Sequence, residues 1–404
     1  MANNNDKKVL NVPALRFPEF SGEWKSKFIN DLASVVGGGT PDTSVKSFWD
    51  GNIQWFTPSE IGKNKYVDSS LRTITEEGLN NSSAKLLPPH TILLSSRATV
   101  GECSLSLKEC ATNQGFQSLI AQSCDTNFLY YLIQTKKKDL IRKACGSTFL
   151  EISANEVRKI QVKIPYDNEQ KKIADFLSLI DERIFTQNKI IEKYESLIQA
   201  ICDTLIESGQ HKVELSFNDF GEPYSGLSGK SAEDFGKGWP YITYMNVYQN
   251  QIIDITDVGL VKINETEQQS IVRYGDILFT LSSETPDEVG MGAVYLGDAY
   301  PLYLNSFCFG VHITDESKIF PPFLAYYISS KSFRKAVFPL AQGSTRFNLQ
   351  KNDFMKKIFH FPTVKKQSEI YSVLKAYSDK LSAEKNIVNL LCEQKSYLLR
   401  QLFI

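Results

Sequence analysis

The sequence predicts an α+β protein that uses one plan twice. Two tandem, strand-rich mixed domains are separated by two long helices that pair as an antiparallel coiled coil, giving a pseudo-two-fold internal repeat. Three observations lead there. Gly146-Ser147-Thr148, Asn155, Lys159, Pro165, Gln170, Ile173 and Leu177 return 197 positions later as Gly343-Ser344-Thr345, Asn352, Lys356, Pro362, Gln367, Ile370 and Leu374. FLYYLI at 128–133 is answered by FLAYYI at 323–328. Each copy then closes on a long apolar 4-3 series, and self-similarity at a long period marks a duplicated unit.

In chain order, the first domain is expected over 1–165, opening with a polar tail through Lys8, and the first long helix over 166–210. The second domain follows over 211–362 and the second helix over 363–404. Within the domains, HTILLSS (90–96), DVGLVKI (257–263) and GDILFTLSS (275–283) alternate with Gly, Pro and Asn turns, as short strands do. One basic helix per copy precedes the Gly-Ser-Thr turn, where Gly146 and Gly343 read as structural.

The helices follow from spacing. Ile173, Leu177, Ile180, Ile184, Gln187, Ile191, Tyr194, Ile198, Ile201 and Leu205 step by four and three without a break. Ile370, Leu374, Tyr377, Leu381, Glu384, Val388, Leu391, Lys395, Leu398 and Leu402 do the same. Such a series puts one apolar seam along a helix, and the seam is buried against another helix. Gln187 and Glu384 occupy the same seam position, where a polar residue costs stability but can fix register. A helix of about 39 residues spans roughly 58 Å, too long for the interior of one compact domain. Two such helices pair most simply with each other. Pro165 ends the strand-like VKIP before the first, and Asp167 with Gln170 reads as a capping box.

The chain of 404 residues is 42% hydrophobic and 23% charged, enough to bury real cores and to exclude a disordered scaffold. Net charge is −1, so any binding to nucleic acid requires charge segregated onto one face or a partner's help. No run approaches the roughly 18 consecutive apolar residues of a membrane helix, and no secretory signal is visible. Seven cysteines form no CxxC pair. Free thiols in a reducing cytoplasm are the expectation.

Several stretches in order now carry a resemblance: VPALRFPEFSGEW (12–24), GGGTPDT (37–43), IQWFTPSEI (53–61), LLSSRATVG (93–101), ATNQGF (111–116), GSTFLEIS (146–153) and NEQKKIADFLSLIDERI (168–184). With the duplicated helix, the chain resembles type I restriction–modification specificity subunits along nearly its whole length. The resemblance implies two target-recognition domains, each reading half of a bipartite double-stranded DNA target, with the coiled coil setting the spacer. It also implies two methyltransferase partners carrying S-adenosylmethionine for adenine-N6 methylation. Nuclease–translocase partners would use ATP and magnesium. The opening of the second domain, EPYSGLSGKSAEDFGKGWPYITYMNV (222–247), looks like a different subclass from the first, which implies an asymmetric target.

No chemistry of the chain's own is legible. Phe320-Pro321-Pro322-Phe323 and Leu87-Pro88-Pro89-His90 lack the acceptor of an amine methyltransferase motif. No G-x-x-x-x-G-K-[ST] phosphate loop exists, and the four histidines have no metal-ligand spacing. We therefore expect no catalytic residue, metal or cofactor on this chain. The alternatives are a self-contained methyltransferase or nuclease, and a coiled-coil scaffold.

Candidate DNA contacts are basic residues for phosphates and polar loop residues for base edges. Lys136, Lys137, Lys138, Arg142 and Lys143 cluster before Thr148, and Lys331, Arg334 and Lys335 before Thr345 and Arg346. A solvated helix face explains such runs equally well. In Ser95-Ser96-Arg97-Ala98-Thr99, Arg97 could fork onto guanine. Its second-copy neighbour, Ser282-Ser283-Glu284-Thr285, offers an acid that could accept from cytosine. Asn113, Gln114 and Asn305 could meet adenine or cap turns, and Trp55 reads as packing. Lys230 and Tyr244 enter through the resemblance.

Overall fold

The computed structural model describes residues 10–146, 150–208 and 212–404. They form two compact units: residues up to 189 together with 385–404, and residues 190–384. The boundaries fall inside both long helices, Asp167–Glu207 and Val364–Leu402. Each unit therefore holds one half of each.

In the first unit the apolar run Ile92–Leu94 is wholly buried and lies mid-sheet. The five-stranded order is Ala33–Gly37, Gln117–Ala121, Ile92–Leu94, Cys103–Ser106 and Tyr66–Val67. A second sheet places Trp49–Phe56 between Arg72–Ile74 and Cys110–Thr112. The helix Thr126–Thr135 starts where the Asp125 side chain accepts from the Phe128 amide at 2.8 Å, and it buries FLYYLI entirely. Against it lie Trp24, Ile173, Leu177 and Ile180, and from the other long helix Leu398 and Leu402. Lys395 and Asp181 join the two helices at 2.7 Å.

The second unit repeats this design. Its eight-residue strand Phe235–Ile242 pairs antiparallel with Val258–Val261 and parallel with Tyr303–Leu304. Trp49–Phe56 has the same pair of neighbours, one antiparallel and one parallel. The core is a phenyl cluster in which Phe217, Phe279, Phe333, Phe354 and Phe359 stack, tilt or meet edge-on. Ile198, Cys202, Ile370 and Leu374 close it. In each unit the N-terminal half of one long helix thus shares a core with the C-terminal half of the other, the antiparallel sense.

Every position of both 4-3 series is buried or half-buried. Gln187, Ile191 and Val388 are half-buried. The Glu384 carboxylate, nearly sealed, is held by Lys380 at 2.5 Å. Gln170 reaches Asp167 Oδ1 at 3.4 Å, but its shorter bonds run elsewhere. Its amide nitrogen donates to the Pro165 carbonyl at 2.9 Å, and its oxygen accepts from the Asp125 amide at 3.0 Å. Gln367 makes the same two bonds, to Pro362 at 2.8 Å and from Phe320 at 2.8 Å. A short buried amide thus pins each long helix to the start of a domain helix. A cap would have left these buried groups unpaired, which is costly.

Lys65 donates to Ser178 at 2.7 Å beneath the first unit's helices. Burial pushes its pKa down to about 8, with Asp181 opposing. Between that value and the ordinary lysine range near 10.4, the unfolded chain binds the extra proton. The contribution of Lys65 to stability must then rise with pH through this window. Denaturant midpoints taken from pH 8 to 10 should show the native chain gaining on Lys65→Met as pH rises.

Candidate nucleic-acid interface

Three segments converge in the first unit. Ser96 donates its amide to the Gly115 carbonyl at 2.8 Å, and its own carbonyl accepts from Ile152 at 2.9 Å. Ser95 and Ser96 are buried. The Ser95 hydroxyl meets Thr99 Oγ1 and the Arg97 carbonyl, each at 3.0 Å. Ala98 has φ +63, a left-handed turn that throws Arg97 and Thr99 outward. Arg97 donates Nε and Nη2 to Glu151 Oε2 at 3.1 and 2.6 Å. One edge of the guanidinium is so occupied and the Nη1 edge is left open, since the group carries five donors in a fork. Asn113 Oδ1 accepts from the Gly115 amide at 2.8 Å, which shapes the turn. Gln114 is exposed and bonded to Thr40. Trp55 is buried, donating to the Gly39 carbonyl at 2.9 Å.

The basic helix Lys137–Lys143 is largely neutralised. Lys137 pairs with Glu102, Arg142 with Asp139 at 2.8 Å, and Lys143 with Glu156 at 3.5 Å. Lys136, half-buried, donates to the Ile404 carbonyl at 2.8 Å, and burial lowers its pKa. Lys138 is exposed and has no hydrogen-bond or ion-pair partner among the described residues. Thr148 lies outside the described residues.

The same scaffold recurs in the second unit with other side chains. Leu281 donates to the Phe307 carbonyl at 2.9 Å and accepts from Leu349 at 2.8 Å, as Ser96 does with Gly115 and Ile152. Ser282 stands opposite Asn348 where Arg97 stands opposite Glu151. Asn305 Oδ1 accepts from Phe307 at 2.9 Å, the turn Asn113 makes with Gly115. Gly343 has φ +138, and a Cβ there would sit 2.0 Å from the Arg346 carbonyl. That close approach is why this second turn begins with glycine.

A concave pocket of about 330 Å³ brings Tyr244, Ser282, Ser283, Glu284 and Arg346 together. Tyr244 donates to the Ser282 carbonyl at 2.7 Å. Thr345 and Arg346 are exposed on the turn between Ala341–Gln342 and Phe347–Leu349. Lys230 is elsewhere and engaged. Its ammonium is sealed against Glu267 and donates to the Lys262 carbonyl at 2.7 Å. Arg334 clamps the Asp287, Val289 and Gly290 carbonyls at 2.7–2.8 Å. Lys331 pairs with Asp203 at 3.4 Å, and Lys335 is exposed. Sequence reasoning passed over Glu151, Tyr248, Glu288 and Phe307. The correspondence of Asn113 with Asn305 was the one signal that could have led to Phe307.

Among the described residues, no group of three or more His, Cys, Asp or Glu is placed to hold a metal ion. No described helix is long and apolar enough to cross a membrane. The family model for the type I restriction modification DNA specificity domain matches twice, over residues 21–196 and 224–391. The MjaIX type I restriction enzyme specificity subunit of Methanocaldococcus jannaschii is 37% identical over 179 residues, 42% of this chain and 41% of that one. The EcoR124I/EcoR124II specificity subunit of Escherichia coli is 31% identical over 175 residues, 41% of this chain and 43% of that one. These matches thus span about two fifths of each relative. A third, the MjaVIII specificity subunit of M. jannaschii, is 21% identical over 95% of this chain and 90% of its own length. In fold, the chain matches the S subunit of the M. genitalium type I restriction-modification system at TM-score 0.53 and 19% identity, covering 97% and 99% of the two chains. A chain from a structure of type I R-M complex assembly and conformational transition matches at TM-score 0.58 and 14% identity, covering 95% and 98%.

Proposed function

Since this chain belongs to the type I restriction modification DNA specificity family, we propose that it reads a bipartite, asymmetric double-stranded DNA target and performs no catalytic step itself. Each unit reads one half, and the paired helices set the gap. Two methyltransferase partners transfer methyl from S-adenosylmethionine to adenine N6 at the chosen site. Nuclease–translocase partners, where the host makes them, add cleavage that uses ATP and magnesium. The work is cytoplasmic, where the DNA is and where seven free cysteines stay reduced. The observation that carries this reading is one scaffold with two chemistries: Arg97 faces Glu151, while the equivalent Ser282 faces Asn348. A duplicated frame that varies at its outward loops suits two unlike half-sites.

The near-neutral charge and the acid-paired basic helix support a grip shared with the partners, because phosphate binding needs uncompensated cations. Mapping methylated adenines in the host genome, with and without this chain, tests the function directly. A motif that persists without the chain would end it. Two variants then separate base from backbone contacts. Arg97→Ala should relax one position of one half, costing about 1–3 kcal/mol of discrimination. Lys138→Ala should weaken binding evenly across sequences and flatten its salt dependence.

A further inference from the structure

We infer that the second unit reads a single G·C base pair at its concave pocket, with Arg346 taking guanine and Glu284 taking cytosine. The inference rests on the DNA-reading function above. The pocket's inner wall is already satisfied. Tyr248 donates to Glu288 Oε1 at 2.7 Å, and Glu288 Oε2 accepts from Ser283 at 3.2 Å and Thr285 at 2.9 Å. The Tyr248 hydrogen bond and its neighbours hold Glu288 below the usual carboxylate range, so it stays ionised and occupied. The Tyr244 hydroxyl is spent on the Ser282 carbonyl.

The rim is different. Glu284 and Arg346 line the same pocket, both exposed, yet neither has a hydrogen-bond or ion-pair partner among the described residues, the other included. Phe307 stands beside them, 60% exposed. Its backbone is pinned at both ends, by Asn305 Oδ1 and by the Leu281 amide, each at 2.9 Å. An apolar ring held out in water by a rigid turn presents contact area whose ordering cost falls on folding and not on binding. In the first unit Gly115 stands where Phe307 does, and Thr99 stands two residues after Arg97 where Glu284 stands two after Ser282, so the acid and the ring belong to the second unit.

Charge decides the ligand. A carboxylate facing duplex DNA is repelled by the phosphates unless it finds a donor, and the donors in the major groove are exocyclic amines. A guanidinium fork needs two adjacent acceptors, which guanine O6 and N7 supply. The pair that offers both acceptors on one base and an amine on the other is G·C. An A·T pair sets an amine beside its purine acceptor and would meet the fork with a donor.

The test uses the full chain in its host with the methyltransferase partners, mapping methylated adenines for the native protein, Arg346→Ala, Arg346→Lys and Glu284→Gln. Both side chains are exposed, so the variants keep the fold. The expected motif has a G·C pair in one half. Arg346→Ala and Glu284→Gln both make that same position degenerate, discrimination falls about 5- to 150-fold, and the other half is unchanged. Arg346→Lys also loses discrimination, because an ammonium is a point charge without the fork. A half-site lacking G·C, relaxation at two separate positions, or an even loss across all sites on Arg346→Ala would each overturn the inference, the last by making Arg346 a phosphate contact. A native map with no motif that depends on the chain would instead count against the DNA-reading function itself.

Discussion

Exchanging residues 211–362 for the matching domain of another such protein is expected to rewrite one half of the methylated motif and leave the other intact. The buried phenylalanines around Phe217 and Phe354 all lie within the exchanged span, while Ile198, Cys202, Ile370 and Leu374, which close their core, stay behind on the helices. The loops at 282–285, 305–307 and 343–346 lie within it too. The cut points are well matched, because Lys212–Leu215 pairs antiparallel with Phe359–Pro362 and both strands leave together. Gln367 stays behind on the helix, yet its partners are a backbone carbonyl and a backbone amide, which any replacement supplies. Each base-pair change in a half-site costs about 1–3 kcal/mol, roughly additively. A new half-site of several pairs should therefore abolish methylation at the old motif and create it at a new one. Genome-wide methylation maps read this directly, and a change in both halves would refute modular reading.

The second large effect concerns the N-terminal strap of the first unit. Arg16 grips Glu169 through Nε at 2.8 Å and Nη2 at 2.7 Å, and the Trp24 indole donates to the same carboxylate at 3.3 Å. Glu169 is only 2% exposed. Arg16→Ala strands a buried charge and should destabilise the first unit by about 3–5 kcal/mol in denaturant unfolding. Removing both partners, as Arg16→Met with Glu169→Leu, should recover much of that loss, since the desolvated pair gives little net stability. A cost below about 1 kcal/mol for Arg16→Ala would place the pair among ordinary surface bridges.

The long helices and the repeat were legible because period is local: Ile173, Leu177 and Ile180 announce a seam whatever covers them. The basic clusters were legible as clusters but not as available charge. Lys137 is met by Glu102, Arg97 by Glu151 and Lys230 by Glu267. Each of those acids arrives from 35 to 54 residues away. Such pairings are set by strand order, and no spacing rule reports them. Gln170 shows the limit of local logic in miniature. Its distance from Asp167 fits a cap, but the fold brings the Asp125 amide and the Pro165 carbonyl to it. Phe307 was hidden for the opposite reason, because an exposed phenylalanine carries no sequence mark.

Residues 385–404 belong to the first unit, where Phe403 meets Trp24 and Phe128, Gln401 accepts from the Leu15 amide, and Lys395 holds Asp181. On the ribosome, everything the second unit needs emerges before these residues do. Domains ordinarily mature in the order they are made; here the later-made unit can finish first, while the earlier one waits with Trp24 and Phe128 lacking their Phe403 cover. A released chain that ends at 384 should thus carry a protease-resistant second unit beside a first unit that still binds chaperone.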